Sequence, residues 1–199
     1  MVEMLKPEAA LPIGGVDKRA NGRWGVMALI TTEASLFGYL LFTYFYLASQ
    51  TERRWPPEGL PSLMMPGINT LILLSSSVFV WACERSIQRS RLVSSLAWLG
   101  LANGFGICFV VIQLKEWGKK KYDMTSDLYG SLYFTITGFH MLHVVIGLVI
   151  LMTLLVWIKL GYLDAKRYSA VSIGGLYWHF VDVVWLFVFT SLYLLPYLS

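Results

Sequence analysis

The chain has 199 residues, of which 56% are hydrophobic and 14% charged, and a mean hydropathy of +0.60. A water-soluble core cannot absorb so much apolar surface, which excludes an ordinary soluble globular domain. The net charge of +4 is spread through short stretches between apolar runs, which points to membrane topology and away from nucleic-acid binding.

Residues 1–23 are polar, include acidic side chains and lack an apolar h-region. They are expected to form a cytoplasmic N-terminal segment and not a cleaved signal. Five apolar runs follow, at 24–49, 66–83, 92–114, 129–158 and 172–198. About 20 apolar residues span a bilayer as a helix, so the second run is near the lower limit and the fourth must tilt or extend past the hydrocarbon. The expected fold is all-α: a polytopic bundle of five transmembrane helices forming one membrane domain over 24–199. The connection after the first run, TERRWPPEGLPSLMMPG, is rich in proline, which lacks an amide donor, and reads as a shaped extended loop or a simple helix breaker. Cys83 and Cys108 fall at different depths, so no disulfide is expected.

Orientation follows from the basic residues of the connections. Lys6, Lys18, Arg19 and Arg23 lie on one side with Arg85, Arg89, Arg91, Lys159, Lys166 and Arg167. Arg53, Arg54, Lys115, Lys119, Lys120 and Lys121 lie on the other. The more basic side holds the N-terminus, which is therefore expected in the cytoplasm, with the C-terminus on the periplasmic side.

Five ionisable residues sit inside the runs: Glu33, His140, His143, His179 and Asp182. An acidic residue at mid-membrane costs about 2.5–3.5 kcal/mol on insertion scales, so each is a functional candidate. Glu33 is the only charge within its helix core. It reads either as a proton-exchanging, reagent-accessible acid or as a side chain hydrogen-bonded to a neighbouring helix. In TITGFHMLHVVIG, His140 and His143 are three apart and share a helical face; in YWHFVDVVWLF, His179 and Asp182 do the same. Gly175, Trp178, Asp182 and Trp185 fall on one stripe, which must turn toward other helices because lipid tails satisfy no polar group. Three histidines and two carboxylates also admit a buried metal centre, yet the Glu-x-x-His pairs of di-metal carboxylate bundles are missing. The competing reading is polar groups that join helices or hold a lipid headgroup. Glu33 and Asp182 fall at similar depth, which allows them to face a common region, with His143 slightly further out.

Several segments resemble subunit III of the haem-copper respiratory oxidases: RWGVMALITTEASLF, WPPEGLP, PGINTLILLSSSVFVWA, the stretch from Gln113 through Glu116 and Trp117, LYGSLYFTITGFHMLHVVIG and YWHFVDVVWLFVFTSLY. Their order and spacing, covering nearly everything from Arg23 onward, carry the resemblance. It implies a subunit that binds no haem or copper and sits against subunit I, whose metal centres reduce oxygen and pump protons. It implies that Glu33 is the family's carbodiimide-reactive glutamate, and that the helices form a cleft for phospholipids. It further implies roles in sustaining proton uptake and protecting the oxidase during turnover, with His140, His143, His179 and Asp182 as cleft-lining or packing residues. The resemblance is to the short, five-helix bacterial form, placing the chain in the cytoplasmic membrane of a bacterium with cytochrome c as the expected electron donor and quinol as the alternative. Met141 departs from the pattern, where glycine is usual. The accessory membrane protein of nitric oxide reductases is a second reading within the superfamily. Outside it stand a self-contained metal or haem enzyme built on His140, His143, His179 and Asp182, and a small transporter, whose internal symmetry and broken spans are not evident.

Overall fold

The computed structural model describes residues 19–51, 55–57, 59–120 and 122–198. Residues 1–18, which hold Lys6, Lys18 and most of the expected cytoplasmic segment, lie outside the described residues, as do Arg53, Arg54, Glu58 and Lys121. The described chain is helical, with no strand among the described residues. The helices are α1 (Arg19–Gln50), α2 (Met64–Gln88), α3 (Leu92–Trp117), α4 (Leu128–Lys159) and α5 (Ser169–Phe189). Each is long and apolar enough to cross a membrane, α5 together with the turns that follow it.

The helices extend beyond the apolar runs because polar residues at the ends still complete backbone hydrogen bonds. Inside them, hydroxyls with no water to turn to donate back to their own helix. Thr31, Thr43, Thr70, Ser75 and Thr137 each donate to the carbonyl four residues earlier. Asp127 caps α4, its Oδ1 accepting from the Gly130 amide at 2.6 Å. The other end of α4 closes with the Tyr162 amide reaching the Trp157 carbonyl and the Gly161 amide reaching Ile158. This closure needs a left-handed residue, which Gly161 supplies at φ 79°.

The last run does not continue as one uniform helix. From Thr190 to Leu194 it widens into a π-helical turn, the Leu195 amide bonding the Thr190 carbonyl, before a tight 3₁₀ turn over Leu195–Tyr197. Pro196 has no amide to offer an α-helical partner, and the wider turn buries three successive residues, Ser191, Leu192 and Tyr193.

Helices α2, α3, α4 and α5 pack in a ring, each against the next and α5 back against α2, while α1 lies outside against α4 and α5. Among its described residues α1 buries only Phe37 and Tyr44, seven apart on one stripe. The ring closes around two tryptophans of α5. Trp178 donates its indole N–H to Ser76 Oγ at 2.9 Å, and Trp185 donates to Thr70 Oγ1 at 2.9 Å, both acceptors being on α2. The Trp178 ring fits because the helices on either side are glycine there. A Cβ on Gly147 would come within 2.7 Å of that ring, and one on Gly106 within 2.9 Å.

Replacing Gly147 with leucine is therefore expected to displace Trp178 and cost about 1–3 kcal/mol through overpacking. Gly138→Ala, whose Cβ would meet nothing within 4 Å, is expected to be neutral or to stabilise the helix by about 0.5–1 kcal/mol. Thermal unfolding in detergent separates the two; equal melting temperatures would remove the role given to the glycine slot.

Candidate functional site

The five intramembrane ionisable residues divide among separate helix interfaces. Glu33 on α1 faces α4, with Oε2 3.0 Å from His143 Nε2. The His143 Nδ1 lies 2.7 Å from the Phe139 carbonyl, which can only accept, so Nδ1 carries a hydrogen. One further proton then lies between Nε2 and the carboxyl. The pair is either a carboxylic acid donating to neutral imidazole or a carboxylate accepting from imidazolium. Either form is neutral overall, which removes most of the cost of placing the two groups at this depth. The edge of Phe37, one turn beyond Glu33 on α1, packs on His143 with ring centroids 5.1 Å apart. Glu33 remains partly open, its side chain 27% exposed against 8% for His143.

His179 and Asp182 belong to another interface, between α5 and α2. Ser77 Oγ lies 2.8 Å from His179 Nδ1 and also bonds Asp182 Oδ2. The other Asp182 oxygen is buried without a hydrogen-bond partner. Glu33 and Asp182 thus do not share a site despite similar depth. Tyr177, which lies within electrostatic reach of Glu33, is five residues from Asp182 and so about 140° around the helix from it. The stripe predicted from spacing does face inward: Gly175, Trp178, Asp182 and Trp185 are all buried.

His140 stands apart again. It is 1% exposed, lies against Trp185 and Phe109 with centroids 4.9 and 5.9 Å away, and has no protein partner for either ring nitrogen. Met141 beside it is buried at 8% exposure. The histidines and acids therefore do not converge. Among the described residues, no group of three or more His, Cys, Asp or Glu side chains could hold a metal ion. Cys83 is buried and Cys108 exposed, both free.

A further polar cluster closes the other end of the bundle and escaped functional reading of the sequence. Glu116, 6% exposed at the end of α3, accepts from Tyr193 at 2.8 Å and pairs with Lys120 at 3.3 Å. Tyr133 and Tyr193 hydroxyls are 2.7 Å apart, and the Lys120 ammonium sits 4.9 Å from the centroid of the Tyr133 ring. The local signal was the Glu116–Lys120 spacing of four residues; the tyrosines come from α4 and from the π-helical turn. The same end carries a cavity of about 450 Å³ between the proline-rich connection and Lys119, Lys120, Tyr122 and Tyr129.

The family model described as cytochrome c oxidase subunit III matches residues 16–197. Among similar proteins, cytochrome c oxidase subunit 3 of Synechocystis sp. is 34% identical over 176 residues, covering 86% of this chain and 75% of that one. The protein of the same name from Thermostichus vulcanus is 33% identical, covering 86% of each chain. That from Struthio camelus is 35% identical over 86% of this chain and 68% of its own length. The chain, an all-helical membrane protein with five candidate spans, belongs to the cytochrome c oxidase subunit III family.

Proposed function

We propose that this chain is the non-catalytic subunit III of a haem-copper terminal oxidase in a bacterial cytoplasmic membrane, where it lies against subunit I and carries no haem or copper itself. Its part in aerobic respiration is to stabilise subunit I, sustain proton uptake into it and hold phospholipid beside α1. The observation that carries this reading is the Glu33–His143 pair, a proton-holding couple at membrane depth on the helix that the rest of the chain covers least. A half-open acid with a histidine behind it can pass its proton to the imidazole and take it back without creating a net charge in hydrocarbon. The N-terminus is placed in the cytoplasm, as the distribution of Lys and Arg favours. His140, His179 and Asp182 act as helix-joining and cleft-lining groups. The relatives, cytochrome c oxidase subunits 3, support an oxidase over the accessory protein of nitric oxide reductases, and cytochrome c over quinol as the electron donor.

Purification under mild detergent is expected to bring down a haem-containing subunit I with this chain, while the chain alone shows no haem or metal absorbance. A stoichiometric haem or iron signal in the isolated chain would overturn the reading. Glu33→Gln is expected to abolish carbodiimide labelling and leave assembly and initial oxygen consumption largely intact; labelling at undiminished yield would assign the reactive acid elsewhere. Asp182→Leu removes the carboxyl that joins α5 to Ser77, and is expected to weaken retention of partner subunits or phospholipid. Unchanged subunit stoichiometry and lipid content after detergent extraction would remove Asp182 from that role.

A further inference from the structure

Between the start of α1, the end of α2 and the start of α5 lies a crevice of two adjoining cavities, about 140 and 260 Å³. Both are lined by Arg23, Glu84, Ser172 and Ile173, and the inner one ends on Leu176 and His179. The polar groups follow helical spacing on both walls. On α5, Ser172, Leu176, His179 and Asp182 are separated by four, three and three residues and form one stripe. On α2, Glu84 and Ser77 are seven apart on the facing stripe. Glu84 is four residues from the end of α2 and Ser77 eleven, so the stripe runs from about 6 Å to about 16 Å into the bundle at 1.5 Å per residue. Counted from Cys83, where the apolar run of α2 ends, Ser77 lies six residues or about 9 Å deep, roughly a third of a hydrocarbon core about 30 Å thick.

At the bottom, His179 Nδ1, Ser77 Oγ and Asp182 Oδ2 form an unbroken hydrogen-bonded line. A serine hydroxyl both donates and accepts, so the line has two arrangements that differ by one proton moved along it. In one, the Asp182 carboxylic acid donates to Ser77 and Ser77 donates to Nδ1 of neutral His179. In the other, the O–H bond of Asp182 is broken and its proton is held on Ser77, while the original Ser77 proton forms an N–H bond on His179, leaving carboxylate and imidazolium. No proton is lost or gained in the step. His179 reaches the crevice, while Asp182 is 3% exposed with one oxygen unpartnered. The other ionisable side chains on helices packed against α5 near this depth are Glu33 on α1 and His140 and His143 on α4. Glu33 and His143 are paired with each other at the α1–α4 interface, and His140 is enclosed by aromatic rings.

We propose that Asp182 is a proton-exchanging acid, supplied from the membrane face that carries the start of α1 through the Arg23–Glu84 crevice, His179 and Ser77. It is a proton site separate from Glu33, at the α2–α5 interface and not the α1–α4 interface. The test is made on the assembled oxidase complex. In a Cys108→Ala background, Leu176→Cys is expected to react with a membrane-impermeant cationic methanethiosulfonate applied to that face. Trp81→Cys, seven residues from the end of α2 as Leu176 is seven from the start of α5, but on an outward surface at 50% exposure, is expected not to react. Equal reactivity of the two, or none at Leu176→Cys, overturns the crevice. In infrared spectra the carboxyl band of Asp182, identified by its loss in Asp182→Asn or its displacement in Asp182→Glu, is expected to shift promptly on transfer to deuterated buffer. Leu176→Trp, which plugs the crevice, is expected to slow that shift by about tenfold or more, as when exchange must wait for the structure to open. A band that never shifts, one that shifts equally fast in Leu176→Trp, or no Asp182-dependent band at all overturns the proposal and leaves Asp182 a packing residue.

Discussion

Two indole-to-hydroxyl hydrogen bonds, Trp178 to Ser76 and Trp185 to Thr70, hold α5 against α2, and the rest of the bundle is arranged around them. In hydrocarbon an indole N–H left without an acceptor has no water to turn to, so each bond selects one rotation and one register of α5. Bonds of this kind contribute only about 1–2 kcal/mol within a membrane. Their larger effect is geometric. Trp178 must lie between α3 and α4, which Gly106 and Gly147 permit, and that same rotation carries His179 and Asp182 to Ser77 while turning Tyr177 toward α1.

The distribution of polar groups follows from this closure. Each ionisable side chain at depth, His140 excepted, meets a partner from a different helix, and no two of the clusters merge. Glu33 and His143 form a neutral couple at the α1–α4 interface, and His179, Ser77 and Asp182 form another polar line at the α2–α5 interface. Glu116 with Tyr133, Tyr193 and Lys120 closes the far end. Among the described residues this dispersal gathers no set of metal-ligating side chains in one place. Helix α1 is the least covered, burying only Phe37 and Tyr44 among its described residues.

Position in the chain explains which functional residues could be read directly. Glu33, His140, His143, His179 and Asp182 stand out because a charge or imidazole inside an apolar run is costly wherever it points. Glu116 sits at the edge of its run, where a charge is unremarkable, and its importance comes from tyrosines 17 and 77 residues further on. The end of α5 was equally hidden. Pro196 announces a disturbance, but the π-helical turn before it, which brings Tyr193 to Glu116, depends on the tertiary site it serves.

The sequence by itself determined five spans, because a backbone in hydrocarbon must bond within its own helix and the apolar length that allows this is a local property. It also determined which residues carry chemistry and which of them share a helical face. The three consecutive serines of α2 mark the limit. Ser75 bonds its own helix, Ser76 accepts from Trp178 and Ser77 joins His179 and Asp182, although nothing in the SSS pattern distinguishes them. Successive positions turn by about 100° around a helix, so their roles depend on what stands opposite. For Ser76 and Ser77 that partner lies 102 to 105 residues away, and only the packed bundle decided it.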